Sequence, residues 1–333
     1  MFIAGQQPSN ATAGSHRGEK SMGLWMSIII PNCFFLVAML MNSMCFVIMV
    51  IKSRCTFTSS LNLLMMAFLL TMVYYSLNNM VCSITGEVLD MSAETLLLQI
   101  NQTGDLFSSY FSILLLFLIG LNRVGVYTSP WLMKNFFPRR RLMPVLVILA
   151  ILTLAFSIFM FLQTGMERVM QTDGVYQDYV EDMTLMNISN YLSYGIALSS
   201  CVFYVRVYLH LKRQRDGVVH DKTKELLNKA EVINCYQGGF ILVIYSLSLI
   251  LFVVASNIDP DANFAMYVHA VQEVVQSLPS LAIPLALLCF CAEMQHVLKV
   301  ILTGGRKSKH CRMSADSMKR RTTITAMSNV TSF

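Results

Sequence analysis

The residues of this chain that can do chemistry are few and far apart. Asp105 is followed by an uncharged run over residues 106–121 and then by Asn122 and Arg123. A carboxylate and a guanidinium separated by about one hydrocarbon thickness of apolar helix belong at opposite faces of a bilayer. Further along, Glu273 stands eleven residues before Pro284, with His269 one helical turn away at i−4 and Gln272 and Gln276 beside it. Ionisable groups in lipid-embedded helices are costly enough to need a purpose. One purpose is a cationic or amine ligand clamped between Asp105 and Glu273. The other reading makes Asp105 a hydrated acid at a loop end and pairs Glu273 with His269 or the backbone. A third uses aromatic side chains, Tyr110, Phe111, Tyr191, Tyr194, Phe264 and Tyr267, to line a pocket for a small apolar ligand.

These residues need elements to hold them, and composition says which. The chain has 333 residues, of which 55% are hydrophobic and 13% charged, and its mean hydropathy is +0.56. That balance belongs to integral membrane proteins and not to soluble domains. The nine cysteines form no CxxC pair, which points neither to zinc nor to a disulfide framework. No metal or cofactor is expected, and the net charge of +6 implies no nucleic acid when it sits in membrane loops.

Seven apolar runs are each near the length of about 20 residues that spans a bilayer: 24–51, 60–84, 106–127, 142–164, 188–211, 232–256 and 264–292. The first, third and fifth connections and the C-terminal segment, with Arg123 and Arg206 at helix ends, hold 22 of the 25 Lys and Arg residues. Cytoplasmic loops retain basic residues, so the N-terminus is expected outside and the C-terminus inside. The sequons at Asn10, Asn101 and Asn187 fall on the face with few basic residues and are candidate glycosylation sites.

The predicted architecture is therefore an all-α membrane protein, a seven-transmembrane helix bundle in the plasma membrane. Residues 1–23 form an extracellular N-terminal tail without a signal peptide, and residues 304–333 a cytoplasmic tail. Within the bundle unit, 24–303, the seventh span is followed by a short amphipathic interfacial helix. There Met294, Val297, Leu298, Ile301 and Leu302 share one face. Cys289, Cys291 and Cys311 are placed for palmitoylation, and also for idle packing. In the tail, Arg320-Arg321-Thr322-Thr323 is a basophilic-kinase pattern. Thr331-Ser332-Phe333 has the hydroxyl spacing for a PDZ-type partner.

Four short motifs recur in a meaningful order: Met41-Asn42-Ser43-Met44-Cys45, the Asn-, Leu- and Ala-bearing run 62–70, Leu121-Asn122-Arg123-Val124, and Ile283-Pro284-Leu285-Ala286-Leu287. With their spacing and the seven runs, the chain resembles the rhodopsin-like G-protein-coupled receptors. More narrowly, it is similar to the nematode serpentine chemoreceptors. The resemblance implies binding of a small-molecule or peptide ligand in the outer half of the bundle, and coupling to a heterotrimeric G protein through Arg123. It implies no enzymatic activity.

The departures are also specific. Asn122 stands where the family has an acid, Leu70 where it has a second-helix Asp, and Ile283 and Leu287 where it has Asn and Tyr. Neither end of the family's outer disulfide has a cysteine, so the outer loops must be held by packing. Gly238-Gly239 in the sixth run can act as a hinge or as a close helix contact. No lysine lies in the seventh run, which excludes a retinal Schiff base. A transporter or ligand-gated channel is the alternative class, although mid-membrane positions carry almost no charge.

Overall fold

The computed structural model describes residues 19–53, 60–89, 96–170, 176–217, 236, 238–241, 243–248, 250–251, 265–290, 294–295 and 297–299. Side-chain surroundings are described for all of these except 19–28, 52–53, 83–89, 96–97, 139, 168–170, 176–179, 265–270, 272–273 and 276. In chain order the helices are α1 (Glu19–Ser53), α2 (Ser60–Leu89), α3 (Leu96–Thr128), the short α4 (Pro130–Asn135), α5 (Arg139–Gln163), α6 (Met183–Gly217), α7 (Gly238–Ser248) and α8 (Ala265–Phe290). Two strands, β1 (Glu167–Met170) and β2 (Tyr176–Tyr179), lie between α5 and α6.

Five helices are long and apolar enough to cross a membrane, through Ile29–Ile51, Ser60–Cys82, Leu98–Thr128, Arg140–Gln163 and Met183–Gly217. They make the chain a multi-pass helical membrane protein. The sixth and seventh expected runs correspond to α7 and α8, whose described apolar stretches, Gly238–Ser248 and Ser277–Phe290, are shorter.

Helix α5 shows most directly why the surrounding medium is lipid. Its buried stripe contains Thr153 and Ser157 and runs on to Thr164 just past its end, while Val147, Ile148, Ile151, Leu152 and Leu162 are exposed. A soluble helix has the reverse arrangement. The three hydroxyls donate to the carbonyls of Leu149, Thr153 and Met160 at 2.7, 2.8 and 2.7 Å, so no polar group in the stripe needs water.

Helix α3 is the most buried of the five. It packs against α2, α4, α5, α6 and β1, while α1 packs against α2 and α8. α3 begins at Leu96, ten residues before the expected start at residue 106. Asn101–Asp105, which one of the sequence readings made a loop end, is instead helical, with Asn101, Gln102, Gly104 and Asp105 buried. Asn101 and Asp105 bond across the α2–α3 contact and Thr103 Oγ1 donates to the Gln99 carbonyl within α3 at 2.9 Å, which removes the reason to expect a loop there.

The hairpin β1–β2 is an exception to the all-α expectation. Its strands pair antiparallel from Glu167↔Tyr179 to Met170↔Tyr176. The amides of Glu181 and Asp182 donate to the Thr164 carbonyl at 2.9 and 3.1 Å. The Asp182 carboxylate in turn accepts from the amides of Thr184 and Leu185 at 3.0 and 3.1 Å, capping the start of α6. Met160, Met166, Val180 and Met186 pack with Leu106 and Tyr110 beneath it. Unbranched methionine side chains fill an irregular gap well, and here they hold the connection that no disulfide secures.

The chain divides into two compact units, Met1–Phe290 and Cys291–Phe333. In the second, residues 294–295 and 297–299 are helical, with Met294 buried, Gln295, Val297 and Leu298 half-buried and Lys299 exposed.

Candidate functional site

Near one end of α3, Asp105 is 5% exposed and faces α2. Its Oδ1 accepts from Asn78 Nδ2 at 2.8 Å and from Asn79 Nδ2 at 2.9 Å. Asn78 and Asn101 also bond reciprocally: Asn78 Nδ2 donates to the Asn101 carbonyl at 2.9 Å and Asn101 Nδ2 to the Asn78 carbonyl at 2.8 Å. The helices can approach this closely because residue 104 is glycine. A Cβ there would lie 2.5 Å from Tyr74 Oη.

Two amide donors on one carboxylate oxygen replace water with fixed dipoles, so Asp105 is a buried helix-pairing group and not a hydrated loop end. Asn101 is likewise buried with its amide nitrogen engaged, a placement that leaves no room for a glycan in this fold. Asn187, in the first turns of α6, is exposed, and Asn10 lies outside the described residues. His269, Glu273 and Gln276 lie on the α8 backbone, but their side chains are outside the described set, as are Phe264 and Tyr267.

One and two turns from Asp105 along the same face of α3, Ser109 and Ser112 open onto an interior cavity of about 80 Å³. Tyr75 of α2, Tyr194 of α6, and Tyr245 and Ser248 of α7 face it, and Pro279 and Ser280 of α8 close it. Among the described residues no charged side chain lines it. Its space is several times the ~10–15 Å³ that one water needs. The hydroxyls of Ser112, Ser248 and Ser280 donate to the backbone carbonyls of Ser109, Val275 and Ser277 at 2.9, 2.9 and 2.6 Å. A hydroxyl that donates still has oxygen lone pairs with which to accept.

Of the aromatic residues singled out in the sequence, Tyr194 lines this cavity. Tyr110 turns instead into the cluster under the hairpin. Its phenol accepts from Ser189 Oγ at 2.8 Å and its ring meets Phe156 edge-on at 5.2 Å. Phe111 stacks on Phe107, and Tyr191 is exposed. Sequence reasoning missed Tyr75, Tyr245 and the serines. The available signal was a set of hydroxyls within otherwise apolar runs.

The two prolines of α8 deprive two carbonyls of their helical donors, those of Val275 and Ser280 at i−4. Each is recaptured by a neighbouring helix. Ser248 Oγ of α7 donates to Val275 O at 2.9 Å, and Asn42 Nδ2 of α1 donates to Ser280 O at 3.1 Å and to Ala38 O at 2.8 Å. Cys45 Sγ also approaches the Pro284 carbonyl, at 4.0 Å. The spacing of Asn42 and Pro284 thus reflects a contact across the bundle.

At the other end of α3, Asn122 is fully buried. Its Nδ2 donates to Ser60 Oγ at 2.8 Å and approaches Met133 Sδ at 3.7 Å, joining α3 to the start of α2 and to α4. Arg123 is half-buried, close enough to the buried Tyr204 of α6 for its charge to act on that phenol. A Cβ on Gly238 would lie 2.5 Å from two ring carbons of Tyr204 and 2.7 Å from its Cβ, whereas one on Gly239 would meet nothing within 4 Å. Gly238 is therefore a close-packing position between α7 and α6. The Tyr236 and Phe240 rings pack on Phe290 at 5.7 and 6.1 Å, which ties the same end of α7 to α8.

Cys289, in the last turn of α8, is exposed and is in no disulfide among the described residues, while Cys291 and Cys311 lie outside the described residues. Leu70 is exposed, so the register that sets it opposite the family's interior Asp has no support. Among the described residues no group of three or more His, Cys, Asp or Glu is placed to hold a metal ion. No protein-family model matches the chain, and no curated protein matches it.

Proposed function

We propose that this chain is a seven-transmembrane chemosensory receptor of the rhodopsin-like kind. It binds a small uncharged ligand from outside the cell and activates a heterotrimeric G protein within. The observation that carries this reading is the cavity between α2, α3, α6, α7 and α8, because its wall contains the one Ser248 hydrogen bond that recaptures the carbonyl freed by Pro279.

A ligand hydroxyl or carbonyl entering the cavity competes for Ser248 and leaves Val275 O without its donor, so α8 bends more easily at Pro279. α7 then shifts relative to α8, and the motion reaches Gly238, Tyr204 and Arg123 at the far end. Only a ligand that binds the shifted state better can drive the change. The described lining supports an uncharged ligand over an ammonium, since among the described residues it offers phenols and hydroxyls and no carboxylate, and Asp105 already accepts two amide donors outside it.

The test is a screen of neutral odorants and amines in cells that report G-protein activation. Loss of one hydrogen bond in the cavity, by Tyr194→Phe or Ser112→Ala, is expected to weaken potency about tenfold. Asp105→Asn is expected to leave potency unchanged. Arg123→Ala is expected to abolish signalling with surface delivery intact. An amine response that disappears in Asp105→Asn would overturn the ligand class, and full signalling by Arg123→Ala would remove that residue from coupling.

A further inference from the structure

Helix α6 has 35 residues, about 50 Å at 1.5 Å per residue, and so outruns a hydrocarbon core of about 30 Å. Near its Arg123 end, Arg206, His210 and Arg213 recur at i, i+4 and i+7, on one face. Val202, Val205 and Leu209 continue that face toward the middle of the helix. Together with Thr128, the last residue of α3, they line a shallow groove of about 440 Å³.

Arg206 and Arg213 are exposed and His210 is half-buried. Among the described residues none of the three has a carboxylate partner. The nearby Asp216 carboxylate pairs with Arg215 at 3.5 Å. The one charged residue of α4 is another cation, Lys134. The Thr128 hydroxyl already donates to the Val124 carbonyl at 2.8 Å and adds no donor to the groove.

The groove therefore has a cationic end that no carboxylate neutralises among the described residues, and an apolar end exposed to the surroundings. The apolar end reaches bilayer depth, because Phe203, next to Val202, packs on Phe117 in the uncharged run of α3 at 5.2 Å. An acidic peptide or a soluble anion satisfies the first end but has no means of covering the second. We propose that the groove binds an anionic phospholipid, with its phosphate between Arg206, His210 and Arg213 and an acyl chain along Val202, Val205 and Leu209. The site rests on the membrane-spanning character of α6 and is independent of the receptor reading. The opposite face of the same turns carries Tyr204, Val207 and Leu211, all buried, so the lipid braces the stretch of α6 against which α3 and α7 pack.

The test uses the full chain in nanodiscs of phosphatidylcholine with phosphatidylserine, followed by native mass spectrometry of retained lipid. The wild type is expected to keep phosphatidylserine in preference to phosphatidylcholine. Arg206→Gln with Arg213→Gln is expected to lose that preference by on the order of tenfold, while Arg206→Lys with Arg213→Lys keeps most of it. Arg140→Gln with Arg141→Gln removes the same charge from α5 and is expected to leave the preference unchanged. Val205→Ser with Leu209→Ser is expected to lose the adduct. Equal losses in the two Arg→Gln pairs would mean bulk surface potential and overturn the site. Retention by the serine pair would mean an anion held without its acyl chain, and would overturn the lipid.

Discussion

Inside a lipid-exposed helix a proline leaves a carbonyl that water does not reach, and α8 has two such prolines. Asn42 and Ser248 each supply the missing donor. Replacing either by alanine leaves a buried acceptor unsatisfied, at a cost of about 1–3 kcal/mol. Asn42→Ala and Ser248→Ala are accordingly expected to lower the melting temperature of the purified protein in detergent, and Ser248→Thr to preserve it. Unchanged melting in both alanine variants would show that the freed carbonyls are satisfied some other way. Asn42 and Pro284 were legible as a motif. Ser248 was not, because a serine in an apolar run has no periodic signature and its acceptor lies 27 residues away in another helix.

Elements pack here through small or polar residues at their contacts. Gly238 admits the Tyr204 ring, and a methyl group at that position must displace atoms that include the Tyr204 Cβ. Overpacking of this kind costs about 1–3 kcal/mol. Gly238→Ala is thus expected to lower thermal stability clearly, whereas Gly239→Ala, with open space around it, is expected to be neutral or slightly stabilising through helix propensity. A thermal-shift assay on the pair measures the contrast, and equal effects would return both glycines to the hinge reading. The hairpin was not legible, since its short strands lie in a polar connection between long apolar runs. Its anchoring by packing was expected from the missing cysteines, and the Met160, Met166 and Met186 cluster provides it.

For the whole molecule, charge asymmetry predicts one orientation. With most Lys and Arg residues on the side of Arg123, Asn10 and Asn187 are expected to face the lumen during synthesis. Expressed in animal cells, the chain is expected to gain mobility on peptide N-glycosidase treatment. Asn10→Gln and Asn187→Gln should each remove part of that shift, and Asn101→Gln none of it, because Asn101 is buried against α2. A shift that survives the loss of both Asn10 and Asn187, or one removed by Asn101→Gln, would contradict the topology.

By itself the sequence determined the medium, the helical class and the approximate positions of five spans, since run length and hydropathy depend only on local composition and bilayer thickness. It also marked Asp105, Asn122 and Arg123 as unusual, because polar groups at the ends of a long apolar run stand out. Only the tertiary structure decided what they do. Asp105 was marked as a ligand contact or a hydrated acid, and Asn78 and Asn79 from another helix make it a buried strut. Tyr110 was marked for the pocket, and its rotation about α3 carries it under the hairpin while Ser109 and Ser112 face the cavity. One residue along a helix turns a side chain by about 100°, and which direction faces a neighbour is settled by the packing of the other helices around α3, which no single run encodes.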